Sequence, residues 1–198
     1  MTRRFDPHRL YGAVRSALPS QEHGVHLFFL HDGVMMVNTP LRDLPVVQKT
    51  LCDYSRRQMT GNEHHDQVSC PTVTVGGLMN LGTMISASDY CLTLPNTCGE
   101  ARPFHSPTSH KRLAIILDRK TTSRHATEGV RLAVGLAGTG HAVTLLAPIQ
   151  EPTTTSPLVA LTARPYLDLF SQLGGEYVTG KRAYALQTDG RFDAILEV

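Results

Sequence analysis

The chain has 198 residues, 41% of them hydrophobic and 18% charged, with nineteen Lys and Arg against seventeen Asp and Glu. That is long enough to bury a core in one medium or two small domains, and the composition is not that of a disordered chain. A net charge of +2 without a basic run, no tryptophan and six each of Phe and Tyr argue against a nucleic-acid interface built on phosphate contacts or stacked bases.

Residues 7–18 set Leu10, Ala13, Val14, Ala17 and Leu18 on one helical face, closed by Pro19 and Gly24. Val25–Leu30 is apolar almost throughout, which predicts a strand buried on both faces, as in a parallel sheet. It runs into the turn His31-Asp32-Gly33-Val34. Leu41–Met59 reads as a helix interrupted near Pro45, and Val68–Val75 as a second strand despite Pro71. Gly76-Gly77 opens a short helix to about Ser86, and Tyr90–Leu94 is a third short strand. Residues 95–111 are rich in Pro, Ser and His without apolar periodicity and read as a linker.

The pattern then restarts. Leu113–Leu117 is a strand, Asp118–His125 a polar loop, Ala126–Ala137 a helix closed by Gly138-Thr139-Gly140, and Ala142–Leu146 a strand. A Pro/Thr loop, a helix over Tyr166–Leu173, a strand at Glu176–Val178 and a last strand at Ala194–Val198 follow. Strands alternating with helices predict βαβ units and mainly parallel sheets covered by helices. The expected organisation is two small α/β units, 1–94, lacking an obvious first strand, and 112–198, joined by the linker.

No apolar run is long enough to span a bilayer. Arg3 and Arg4 are followed by no apolar segment of the secretory type. With Arg9, Arg15 and the single early acid Asp6 they read as a basic first helix or as a faint transit-peptide pattern. The four cysteines, at 52, 70, 91 and 98, include no CxxC pair. Reduced thiols in a cytoplasm are therefore expected, and any cysteine chemistry rests on single reactive thiols.

Val25–Val34, VHLFFLHDGV, resembles the second strand and Asp-Gly-Val turn of the DsrE/DsrF-like sulfur-relay family. Gln67–Leu78 is similar to that family's cysteine-bearing strand and glycine-containing helix start, and Ser88–Leu94 to its closing strand. Arg112–Pro148 and Leu167–Ala185 resemble the same family a second time. There Gly180 or a neighbour stands where the family has its cysteine, and no Asp-Gly-Val turn follows Leu146. The spacing from Cys70 to the glycines is a residue tighter than the family's, and Val75 or Gly76 stands where an Arg often precedes that glycine. The resemblance implies two flavodoxin-like or Rossmann-like DsrE-like units and homo-oligomeric assembly. It implies sulfane sulfur carried as a persulfide on Cys70 and handed to a small sulfur-carrier protein or another relay component. The second unit would be a copy without the cysteine, and no cofactor is implied. Such a protein is a carrier more than a turnover enzyme.

Cys70 is expected at the carboxyl end of a strand, just ahead of the Gly76-Gly77 helix entry, where backbone amides favour a thiolate. His64 and His65 would raise the thiolate fraction if cationic. The other reading of Cys70 is a small buried hydrophobe. Cys91 and Cys98 read as a core residue and a loop thiol, or as a redox pair; Cys52 reads as packing. Asp32 either bonds its own turn or orients a substrate. The histidines at 64, 65, 105 and 110 lack the spacing of a zinc site. Asp118–His125, with three basic groups and several hydroxyls between a strand and a helix start, is a candidate anion site over 118–127, although it carries no Walker or dinucleotide glycine motif. The alternatives to sulfur relay are thus a binding or scaffold protein of the same fold, or small-anion or nucleotide binding at 118–127.

Overall fold

A computed structural model of the chain describes residues 24–30, 33–34, 37, 46–60, 73–88, 90–91, 104–105, 109–117, 123–147 and 157–198. The chain divides into two units, Met1–Met84 and Ile85–Val198.

In the first unit, β1 (Val25–Phe29), β2 (Val46–Cys52) and β3 (Val73–Gly76) form a sheet in the order β1-β2-β3, parallel throughout. The helix expected over Leu41–Met59 is instead the central strand β2 followed by α1 (Asp53–Thr60). β-Branched Val46, Val47 and Thr50 favour the strand, whereas Gln48 and Lys49 hide it by breaking the apolar run. Lys49 lies half-buried and sends its ammonium to the Val37 carbonyl at 3.1 Å. Leu51 packs with Phe29, Val34 and Val37, and Leu27 and Val73 close over them. The alternation of a strand turns Thr50 and Cys52, both buried, to the opposite face.

α1 begins at Asp53, whose carboxylate accepts from Arg56 at 2.8 Å and Arg57 at 2.7 Å. The Arg56 hydrogen bond, more than any other contact, holds that carboxyl below the usual carboxylate range. The described part of the strand expected over 68–75 begins at Val73. After it, α2 (Leu78–Ser86) starts where the glycine pair predicted. The Gly77 N–H donates to Asn80 Oδ1 at 2.8 Å, so a side chain in the first turn closes back on the helix start. A methyl group at Gly76 would stand 2.9 Å from Asn80 Oδ1 and 3.0 Å from Thr50 Cγ2, so a side chain here would push the Asn80 amide from its place on the helix start.

In the second unit, β4 (Tyr90–Cys91) pairs antiparallel with β5 (Phe104–His105). The third strand expected over Tyr90–Leu94 therefore makes a two-stranded ribbon, not an extension of the parallel sheet, and the stretch read as a linker contains a strand. Pairings of two residues are too short to leave a periodicity in sequence.

β6 (Arg112–Ile116), β7 (Ala142–Ala147), β8 (Glu176–Thr179) and β9 (Ala194–Glu197) form an all-parallel sheet in the order β8-β7-β6-β9. Between them run α3 (Ser123–Gly138), α4 (Pro157–Gln172) and α5 (Gly180–Thr188). Numbered by the chain, the order is third, second, first, fourth, the arrangement of a doubly wound sheet. Right-handed crossovers then set α3 and α4 on one face and α5 on the other. Ala114, Ile116, Leu146 and Val178 pack with Ala183 and Leu186 of α5. Leu113 and Ile115, of opposite parity and fully buried, face the other way. α5 has no counterpart among the expected elements, because only Ala183 and Leu186 are buried in it and a glycine opens it. α4 begins well before the expected Tyr166, and Pro165 sits inside it on an exposed position.

The chain is thus an α/β protein of two mainly parallel sheets flanked by helices. Among the described residues, no helix is long and apolar enough to cross a membrane.

Candidate functional site

Open parallel sheets bind ligands outside the carboxyl ends of their strands, where neighbouring strands send the chain in opposite directions. The second unit has one such place. β6 lies between β7 and β9; the chain leaves β6 toward β7 and returns last to β9 on its other side. Beyond the strand ends the ladders continue, Leu117 N–H donating to the Leu146 carbonyl at 2.8 Å and Val198 N–H to the Ile116 carbonyl at 3.1 Å.

α3 is held close to this edge. A methyl group at Gly129 would meet Leu117 Cδ2 at 2.5 Å and the Val198 side chain at 3.6 Å, so the absence of a side chain lets the helix lie against the residues that follow β6 and β9. Glu128 and Arg131, one turn apart, bond to each other and neutralise the charges buried along this part of the helix. The amino end of α3, with the unspent N–H groups and positive dipole end of a sixteen-residue helix, follows β6 at the carboxyl edge. Ser123, Arg124 and His125 belong to its first turn. Residues 118–122, the rest of the candidate anion segment, lie outside the described residues.

Of the residues expected to handle sulfur, Cys70, His64, His65 and Asp32 lie outside the described residues, and so does Cys98. Gly76 and Gly77 are described and stand at the carboxyl end of β3 and the start of α2. The described part of β3 has its carboxyl end at Gly76. Cys52, at the carboxyl end of β2 and opposite Gly76 in the β2–β3 register, is free and buried. Its surroundings make it a packing residue. Cys91 contributes backbone to β4, and His105 to β5.

A polar cluster at the amino ends of β6 and β7 went unread in sequence. The ring of buried His141 accepts the Lys111 backbone N–H at Nδ1, 3.1 Å, and Nε2 stands 3.3 Å from Ser86 Oγ. An acceptor at Nδ1 fixes the proton of the neutral ring on Nε2, which donates to the serine. A ring in that tautomer has no lone pair to take the serine proton, so the pair is a structural tie and not a nucleophile with its base. No sequence signal joins residues 55 apart. His110 is engaged with the Gly140 carbonyl at 3.1 Å. Among the described residues, no three His, Cys, Asp or Glu side chains stand together as a metal site.

No family model matches the chain, and neither the curated proteins nor the solved structures contain a match to it.

Proposed function

We propose that the second unit binds a small anionic or phosphate-bearing ligand at the carboxyl edge of its sheet, at residues 118–127. The supporting observation is the strand order β8-β7-β6-β9, which makes the β6–β9 boundary the switch point and leads β6 directly toward the amino end of α3. The segment between them, Asp118-Arg119-Lys120-Thr121-Thr122-Ser123-Arg124, supplies cations and hydroxyls suited to phosphate oxygens. Thermal melting with inorganic phosphate, pyrophosphate and a nucleoside monophosphate tests it. At about a hundred times its Kd, a ligand specific to the native state adds about 2.7 kcal/mol. The expected result is a rise in melting temperature with at least one of the three, lost in Arg124→Ala. No rise with any of them overturns the reading.

A second reading is sulfur carriage on Cys70, supported by the resemblance of Gln67–Leu78 to the sulfur-relay family and by the exposed glycine-led helix start at Gly77. In a reducing cytoplasm the Cys70 thiolate attacks the outer sulfur of a donor persulfide and expels the donor thiolate. An acceptor thiolate on a small sulfur-carrier protein then attacks the bound sulfur and releases Cys70. Intact-protein mass spectrometry after treatment with polysulfide is expected to find one added sulfur atom, removed by dithiothreitol and missing in Cys70→Ser. An adduct that persists in Cys70→Ser, or none at all, overturns it. Failure of both readings leaves a binding or scaffold protein of this fold.

A further inference from the structure

The outer strand of the second sheet offers a surface that the ligand reading does not use. β8 pairs with β7 on one side, and among the described residues nothing pairs with its other side. Natural edge strands are commonly blunted by proline, a bulge or an inward-facing charge. Glu176-Tyr177-Val178-Thr179 has no proline and a regular register, with only Val178 buried. Val178 faces α5, so Tyr177 projects on the face that carries α4. It is 43% exposed. α4 packs against β8, and on that same side of the sheet Tyr166, Leu169 and Leu173, spaced three and four apart, leave one flank of the helix and its following turn apolar and exposed. On the opposite face, Tyr184 of α5 is 62% exposed. Exposed large apolar side chains thus stand on the elements packed over both faces of this sheet.

The charges at the two ends of this strand select the occupant. Glu176 opens β8, and Lys181 and Arg182 follow its end in the first turn of α5, all three exposed. Within one chain Arg182 reaches back to Glu176 at 3.1 Å, a solvent-exposed pair that is exchanged at little cost. Two such strands side by side in parallel would set acid on acid and cation on cation. Set antiparallel about a two-fold axis through Val178, they bring each Glu176 opposite the partner's Gly180, beside the partner's Lys181 and the partner's Arg182, and set Tyr177 opposite the partner's Thr179. We propose that β8 pairs with β8 of a second copy of this chain, continuing the four-stranded sheet across a two-fold axis.

Sedimentation equilibrium of the full chain tests this independently of any ligand. The wild-type mass is expected to be twice that of one 21.7 kDa chain. Glu176→Arg sets three cations at each end of the pairing and is expected to halve the mass. Adding Lys181→Glu and Arg182→Glu to it restores opposite charges and is expected to restore the dimer, which a misfolded protein would not do. A wild-type monomer, whose edge is then free for a strand of another protein, overturns the proposal. So does a dimer that Glu176→Arg leaves intact.

Discussion

Alanine at Gly175 is expected to destabilise the second unit by about 3 kcal/mol, the upper part of the range for forcing an extra methyl into a packed core. The added carbon would overlap the ring of Phe170, which is fully buried, and the Gly175 N–H donates to the Phe170 carbonyl at 2.9 Å. Backbone and ring are therefore fixed to each other, and neither moves aside without opening the core beneath α4. The neighbouring glycine supplies the control. Gly174 has a φ of +80° with nothing near the position of a side chain, so alanine there meets backbone strain alone, about 1 kcal/mol. Urea denaturation of the two variants separates these causes. Phe170→Leu in the Gly175→Ala background is expected to recover part of the loss. Equal losses at 174 and 175 would mean that the ring yields.

Valine at Thr50 is expected to act in the opposite direction and raise stability by about 1–2 kcal/mol. Thr50 is buried in the central strand of the first sheet, and among the described residues its hydroxyl has no hydrogen-bond partner. A donor and acceptor left unpaired away from water costs more than the methyl group that would replace it. Valine keeps the branched shape against Gly76, where Thr50 Cγ2 already makes a close approach. Thr50→Ala removes that methyl as well and is expected to fall below valine. The midpoint of urea unfolding measures both; a valine variant less stable than the wild type would mean that the hydroxyl is bonded.

Legibility in sequence followed the apolar pattern. β6 and β7 are, apart from Arg112 and Thr144, built of Leu, Ile, Val and Ala and mostly buried, and they are legible almost to the residue. β2 carries Gln48 and Lys49 in its middle. The charge is accommodated by a carbonyl belonging to Val37, a contact between distant residues that no local window contains. α5 was missed because two buried side chains make too narrow a stripe for a helical period to stand out. The candidate anion segment was found from its hydroxyls and cations and its place between a strand and a helix. The strand order that makes its location a switch point is a matter of pairing, and pairing is not written in any one segment. Cys70, read as a strand-end thiol from its place ahead of the glycine pair, lies outside the described residues, and the described pairing of β3 with β2 covers Val73 to Gly76 alone.

The strand order also bears on how the second unit is synthesised. Of the four strands β6 is made first and sits inside the finished sheet, yet one of its two neighbours is β9, the last of the four to be made. The tie between their starts, from the Arg112 N–H to the Asp193 carboxylate, closes a loop of 81 residues. While translation proceeds, β6, β7 and β8 already have partners among themselves, but the free side of Leu113–Ile116 stays unpaired until Ala194–Glu197 arrives. The nascent chain therefore carries an open, apolar strand edge from the synthesis of β6 until that of β9. A chaperone that shields that edge, or a pause that keeps nascent chains apart, would serve this protein more than one whose final strand lies at the rim of its sheet.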